Sequence, residues 1–186
     1  MISNRKKVSP LSSKDIERHA KNARWNLIFN HPIGHPVLLE DVLDKIESGF
    51  GFRLDVRDDK YFSQEEAWTD FAERELVISE STYGCLDRHN CPKCYRHRFT
   101  VAHELGHIIL HDGQMPRTHS AAKGVRLYRQ SELRAYEDAE WQANDFGGAF
   151  LASKEDIGQF KSADHLSLTM GVSIEVARIR WKRFNA

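Results

Sequence analysis

The sequence lacks any apolar run close to the ~18 residues that a membrane-spanning helix needs. Its longest apolar stretches, such as residues 108–110, have the length of core segments. We expect no secretory signal either, because the basic residues 5–7 are not followed by an apolar stretch. These absences predict a cytoplasmic protein that has no membrane partner.

An excess of charge of either sign is also absent, since 27 Lys and Arg residues balance 27 Asp and Glu residues. Without a global basic field, contact with nucleic acid would need a local patch. Glycine and proline, at 11 and 5 of 186 residues, are too scarce for a fibrous or low-complexity chain. No internal repeat or domain boundary is visible, so we predict a flexible N-terminus over residues 1–11 and one globular domain over residues 12–186.

The spacing of apolar residues predicts more helix than strand. Strands are expected at residues 52–56 and 75–79, with further candidates at 67–71 and, inside a long loop over 113–130, at 125–128. Helices are expected over residues 12–29, 37–48, 100–110, 131–151, from 154, over 164–170 and over 173–184. The fold class that follows is α+β, a mainly helical single domain with a small β-sheet.

Metal chemistry is indicated by the histidines, which number ten and are about twice as frequent as usual. Two of them lie in His103-Glu104-Leu105-Gly106-His107, the pattern H-E-x-x-H. On a helix, positions i and i+4 share one face, so both imidazoles can bind one cation while the intervening Glu reaches a water on that cation. The pattern therefore predicts a metal centre on the helix over residues 100–110.

A catalytic zinc site needs a third protein ligand. His111 continues the spacing but lies ~12 Å along the helix axis from His103, whereas two nitrogens on one zinc are at most ~4.2 Å apart. Glu140 is the better candidate, because it forms an i, i+4 pair with Asn144 on the next long helix. By spacing alone other acidic residues are also available: Glu137, Asp138 and Asp145.

Two blocks of sequence extend this pattern. Residues 98–111 read R-F-T-V-A-H-E-L-G-H-I-I-L-H, and residues 140–146 read E-W-Q-A-N-D-F. Together they resemble the ImmA/IrrE family of metallopeptidases, which carries R-F-T-x-A-H-E-x-G-H and then E-x-x-A-N-x-F-A. Similar segments at residues 35–43, 76–79 and 171–173 extend the resemblance over nearly the whole chain.

The resemblance implies a zincin-like minimal metallopeptidase in which the H-E-x-x-H helix packs on a second ligand-bearing helix. It implies that His103, His107 and Glu140 bind one catalytic Zn²⁺ and that Glu104 is the general base. Glu104 would take a proton from the attacking water and pass it to the leaving amine. A donor for the oxyanion stays open among His119, Tyr128 and Tyr136.

The sequence departs from the family pattern just after the second block. Gly147 and Gly148 replace small helix-forming residues, and Leu151-Ala-Ser153 replaces the usual Leu-Met-Pro. Each glycine costs ~1 kcal/mol in a helix interior. We therefore expect the helix to bend at the glycine pair or to pack very closely there.

The cysteines are few, three in all, and their odd number excludes the disulfide framework of a secreted protein. The spacing of Cys85, Cys91, Cys94 and His97 fits a second, structural zinc site. Three reduced thiols or a Cys91–Cys94 bridge are the alternatives. If the cysteines hold zinc, their oxidation would release the metal and make the peptidase redox-sensitive.

The C-terminal segment over residues 164–186 resembles a helix-turn-helix unit with Gly171 at its turn. Residues 171–186 carry a local charge of +3, from four basic residues and one acidic residue. We nevertheless expect the segment to pack on the core rather than to bind DNA directly, because the spacing of its apolar residues suits such packing: Val172, Val176, Ile179 and Phe184.

The leading functional hypothesis is a zinc-dependent endopeptidase of narrow specificity. The resemblance implies that its substrate is a helix-turn-helix transcriptional repressor, such as an antitoxin-like partner, encoded in mobile elements, toxin–antitoxin pairs or stress-response loci. The alternative is a regulatory protein that binds a repressor or DNA without cleavage. The intact Glu104 favours the peptidase.

Overall fold

A computed structural model describes residues 4–63, 65–117, 127–129 and 133–185. Its strands are β1 (Asn4–Lys6), β2 (Arg53–Arg57), β3 (Ala67–Asp70), β4 (Glu75–Ser79) and β5 (Leu127–Arg129). Its α-helices are α1 (Ser13–Leu27), α2 (Leu39–Leu43), α3 (Ile46–Phe50), α4 (Glu80–Tyr83), α5 (Tyr95–His111), α6 (Ala139–Leu151), α7 (Lys154–Ile157), α8 (Ala163–Met170) and α9 (Ile174–Asn185). The predicted α+β class, mainly helical with a small sheet, is confirmed.

The larger sheet has the strand order β2-β4-β3. Strand β4 runs parallel to β2 and antiparallel to β3, with Leu76 opposite both Leu54 and Thr69. All five residues of β4 are buried, as expected of a central strand. Strand β3 is left at the edge, and it packs against α5. A second, two-stranded sheet pairs β1 antiparallel with β5.

Among the described helices, α5 and α6 form the most extensive pair, and α1 also packs on α6. Helix α1 begins in a capping box between Ser12 and Asp15 and buries one stripe of residues at helical spacing: Ile16, Ala20, Ala23 and Leu27. The core between these helices is apolar and includes Leu105 and Phe146, both fully buried. The helices that carry His103, His107 and Glu140 thus lie at the centre of the fold.

The glycine pair in α6 serves close packing. The helix continues through Gly147 and Gly148 to Leu151, so it does not break there. A Cβ on Gly147 would lie 3.3 Å from the backbone nitrogen of His103, which is tighter than ordinary van der Waals contact. Of the two expectations for this pair, the structure supports the close approach of α6 to α5.

Three predicted helices have different bounds, and the one expected over residues 100–110 covers Tyr95–His111 as α5. The helix expected over residues 37–48 is divided into α2 and α3 by a turn at residues 44–45. The helix expected from residue 131 begins only at Ala139, because Asp138 accepts a hydrogen bond from the Glu140 N–H and pairs across a β-bridge with Lys7. Residues 125 and 126 of the strand expected at 125–128 lie outside the described residues. The described strand β5 covers Leu127–Arg129.

Residues 4–11, for which the sequence predicts flexibility, have backbone partners in the structure. Strand β1 pairs with β5, the Val8 N–H donates to Glu137 O, and the Leu11 N–H donates to Tyr136 O. Val8 is also buried against Ala139 and Met115. Backbone hydrogen bonds and apolar burial therefore attach this segment to the start of α6.

The C-terminal helices α8 and α9 meet at Gly171, whose φ of +65° closes α8 in the left-handed conformation. Val172 and Ala177 are fully buried, and Arg180 binds Glu17 of α1 and the Ala152 carbonyl. The expected packing on the core is thus present, but Ile179 is exposed rather than packed. No helix in the described part of the chain is both long and apolar enough to cross a membrane.

Candidate metal centre

Helix α5 places His103 and His107 on one face, and α6 brings Glu140 to the same point. His103 Nε2 lies 3.4 Å from Glu140 Oε2, and His107 Nε2 lies 3.5 Å from Glu140 Oε1. The two Nε2 atoms are 2.9 Å apart. Among the described residues, this is the group whose ligand atoms all lie within 4.8 Å of one another. The structure therefore brings together the three predicted ligands.

The chemistry of these donors fits zinc. Two imidazole nitrogens and one carboxylate oxygen form a three-ligand set that leaves a position for water or substrate. The sequence left four acidic residues open as the third ligand, and Glu140 is the one that the structure places beside both histidines. Asp138 instead caps α6, and Asp145 receives a hydrogen bond from Arg183.

The pKa values of Glu140 and His103 are shifted by their contacts at this site. Hydrogen bonds from His103 and then His107 hold the pKa of Glu140 far below its usual range, against the opposing effect of burial. Burial acts to lower the pKa of His103, but its hydrogen bond to Glu140 and the charges of Glu104 and Glu140 raise it overall. A carboxylate facing two imidazoles is thus an anionic pocket suited to a cation.

Both histidines use their second ring nitrogen to contact α5 or α6. His103 Nδ1 lies 3.0 Å from Asn144 Oδ1, and His107 Nδ1 lies 3.1 Å from His111 Nδ1. His111 stands outside the ligand group, as the helical rise predicts. Burial, with the nearby His107, lowers the pKa of His111 to about 4, so the ring is neutral at pH 7.

The carboxylate of Glu104 is held by a residue that sequence reasoning missed. Thr69 Oγ1 on β3 donates a hydrogen bond of 2.8 Å to Glu104 Oε2. The alternating pattern at residues 67–71 indicates a strand, but nothing local indicates that this strand meets the H-E-x-x-H helix. The contact exists because the edge strand packs against α5.

The metal centre lies in an open cleft of about 610 Å³. Its floor contains His103, Glu104, His107 and Glu140, and its walls include both apolar and charged side chains: Lys6, Glu66, Trp68, Phe71, Arg96, Phe99 and Met115. The edge strand β3 forms one wall. Within the described ranges β3 has a strand partner on one side only, so its other edge could accept an extended chain.

The structure corrects the predicted second metal site. Cys85 and Cys94 are joined as a disulfide with a Cα–Cα distance of 5.0 Å, and Cys91 is a free, half-buried thiol. His97 Nδ1 instead faces Thr82 Oγ1 at 2.9 Å. The end of α4 meets the start of α5 at this point, so Cys85 pairs with Cys94 rather than joining a four-ligand set.

The three candidate oxyanion donors have different outcomes. His119 and the side chain of Tyr128 lie outside the described residues. Tyr136 does not line the described part of the cleft, and its hydroxyl accepts a hydrogen bond of 2.6 Å from Arg134. The structure gives Tyr136 no role at the metal centre.

Comparison with known proteins adds three findings. The profile of the Peptidase_M78 family, described as the IrrE N-terminal-like domain, matches residues 90–182. The fold is similar to that of a solved Mycobacterium tuberculosis transcriptional regulator, with a TM-score of 0.53 and 17% identity over 88% of this chain. This chain spans only 45% of that structure. No curated protein matches the sequence.

Proposed function

The chain belongs to the Peptidase_M78 family, and on that premise we propose that it is a zinc-dependent endopeptidase that cleaves a helix-turn-helix repressor or antitoxin-like partner. The observation that carries this proposal is the convergence of His103, His107 and Glu140 beside Glu104 in an open cleft. Metal ligands and a general base stand together where a peptide has access.

The residues divide the chemistry between them. His103, His107 and Glu140 would hold the zinc ion, which would polarise the substrate carbonyl and acidify the attacking water. Glu104 takes a proton from that water at Oε1, because Oε2 already accepts the Thr69 hydrogen bond. The same oxygen then returns the proton to the leaving amine. Peptide hydrolysis thereby needs no further acid from the described residues.

The shape of the cleft favours a polypeptide substrate. One side of β3 pairs with β4, and its other side is a sheet edge next to the metal ligands. An extended peptide can add to such an edge through main-chain hydrogen bonds. A peptide bound in this way would have its scissile bond close to Glu104. This binding mode supports a polypeptide as the substrate.

The choice of a repressor rests on the family resemblance. The Mycobacterium tuberculosis structure of similar fold is named a transcriptional regulator, which is consistent with a role in gene control. Partner, cellular setting and zinc identity are all part of this proposal.

A comparison of Glu104→Gln with the wild-type protein tests the proposal. Each protein is expressed in the same host, and new protein N-termini are identified by mass spectrometry. We expect cleavage of a helix-turn-helix protein with the wild type only, while both proteins hold one zinc. Glu155→Gln, at an exposed ion pair with Lys21, is the control and keeps activity.

The same variant separates the alternative function. If Glu104→Gln relieves repression as fully as the wild type, the protein acts by contact without cleavage. A wild-type protein that binds no zinc would also overturn the peptidase.

A further inference from the structure

His111 is fully buried next to the metal centre, one helical turn beyond His107. Its Nδ1 lies 3.1 Å from His107 Nδ1, and its Nε2 lies 3.0 Å from Gln142 Oε1 on α6. Both ring nitrogens therefore have a partner, as buried polar atoms require. The roles given above to the metal ligands, to Glu104 and to the apolar core do not explain why His111 makes these two contacts.

The direction of these hydrogen bonds is set at Gln142. Its Nε2 lies 2.9 Å from the Ser9 carbonyl oxygen and 2.8 Å from that of Tyr136. A carbonyl oxygen only accepts hydrogen bonds, so both carbonyls need the amide N–H groups of Gln142. The opposite end of the amide, Oε1, must then face His111. Because Oε1 carries no proton, His111 Nε2 is the donor.

The proton positions follow along the chain of rings. A neutral imidazole with its proton on Nε2 has a bare Nδ1. His111 Nδ1 therefore accepts, and His107 Nδ1 donates. With Nδ1 donating to His111, His107 offers Nε2, the atom directed at Glu140, to a metal ion. The ion would replace any proton that Nε2 shares with Glu140 in the metal-free protein. Two backbone carbonyls thus determine which nitrogen of His107 is left to bind the metal.

We propose that His111 is a positioning residue that holds His107 in the tautomer whose Nε2 lone pair faces the metal. Gln142 anchors His111 to the carbonyls of Ser9 and Tyr136, so the N-terminal segment takes part in shaping the site. His103 has no comparable anchor, because its partner Asn144 is exposed. The proposal rests on the proposed function only in taking His107 as a metal ligand.

The first test reads the tautomers directly. Metal-free protein with ¹⁵N-labelled histidine is examined at pH 8 by long-range ¹H–¹⁵N correlation NMR, which distinguishes protonated from bare ring nitrogens. We expect a proton on Nε2 of His111 and on Nδ1 of His107. A proton on Nδ1 of His111 would overturn the proposal. This result does not depend on zinc binding, so it stands apart from failure of the proposed function.

The second test compares two substitutions of His111 that differ in their hydrogen-bonding chemistry. His111→Phe keeps an aromatic ring at this position but removes both ring nitrogens. His111→Gln can still accept a hydrogen bond from His107 and donate one to Gln142. Outer partners of metal-bound histidines contribute about 10–100-fold in metal affinity. We expect His111→Phe to weaken zinc binding in a chelator competition by that factor and to leave His107 in mixed tautomers.

His111→Gln should recover most of the zinc affinity and the single tautomer of His107. A purely structural His111 would change thermal stability in both variants and leave the His107 tautomer as in the wild type. That outcome contradicts the proposal. If His111→Phe does not fold, the histidine tautomers of the wild type and the zinc affinity of His111→Gln still test the proposal.

Discussion

Gly106 on α5 lies directly against Ala143 on α6, where a Cβ on Gly106 would stand 3.1 Å from both the Cα and the carbonyl oxygen of Ala143. Backbone atoms cannot move aside as a flexible side chain can. Gly147 makes a similar close approach to His103. The separation of the two helices, and with it the distance from Glu140 to both histidines, therefore depends on these glycines.

Gly106→Ala should push α5 and α6 apart. We expect a loss of about 1–3 kcal/mol in the free energy of unfolding, the usual cost of overpacking, together with weaker zinc binding. Urea denaturation and chelator competition measure the two effects. Gly148→Ala is the matched control, since its nearest contact is 3.5 Å away at the Arg180 side chain and alanine favours a helix. Equal damage from both variants would contradict the spacing argument.

Glu140→Gln should abolish tight zinc binding, because an amide oxygen replaces the one carboxylate ligand between His103 and His107. Elemental analysis of purified protein is expected to fall from one zinc per chain to near zero. Glu137→Gln is the control, since Glu137 pairs with Lys7 and stands outside the ligand group. Zinc retained in Glu140→Gln, or lost in Glu137→Gln, would assign the third ligand elsewhere.

Thr69→Val should slow cleavage without releasing zinc. The substitution keeps the shape of the side chain but removes the hydroxyl that orients Glu104. We expect kcat to fall by about tenfold, which corresponds to ~1.4 kcal/mol, while KM changes little. Thr69→Ser restores the hydroxyl and should restore kcat. A kcat for Thr69→Val equal to that of the wild type would show that this hydrogen bond does not assist the general base.

Alkylation of the unfolded, unreduced protein should modify one cysteine, Cys91, and after reduction all three. This follows from the Cys85–Cys94 pairing, and intact mass spectrometry counts the labels. Zinc content should stay at one per chain in Cys91→Ser. A second zinc that is lost with Cys91→Ser would restore the four-ligand site that the sequence predicts.

Arg98→Met should destabilise the fold by about 3–5 kcal/mol, as expected when buried hydrogen bonds lose their donor. Arg98 is fully buried and donates to the carbonyls of Val37, Leu86 and Gly171. Burial lowers the pKa of its guanidinium to about 10, so it remains charged at pH 7. Urea denaturation should show less than ~0.5 kcal/mol for the exposed Arg96→Met, and a similar loss in both variants would refute this role.

Local periodicity accounts for what the sequence predicts well. The rise and turn of a helix put His103 and His107 on one face before any tertiary contact exists. The same rule excludes His111 as a ligand, and the capping residues Ser12 and Ser153 open helices as expected. These features depend on residues within one or two helical turns, so one sequence contains all the information they need.

Sequence patterns fail where distant segments compete. The helix expected from residue 131 begins only at Ala139, since residues 136–138 pair with the N-terminal segment instead. The cysteine spacing suits a metal, yet the meeting of α4 and α5 pairs Cys85 with Cys94. In the first case a long-range contact outweighs a local preference, and in the second case the packing of two helices close in sequence does.

The sequence alone determined that His103 and His107 share a helix face with Glu104 between them, and it indicated the family, because each of these features lies in a short motif. Only the tertiary structure decided that Glu140 is the acid facing the histidines, that Thr69 holds Glu104, and that Gln142 anchors His111. The physical reason is that these partners lie on different elements. Their distances depend on how closely the helices and the edge strand approach, which is set by the volumes of the side chains packed between them.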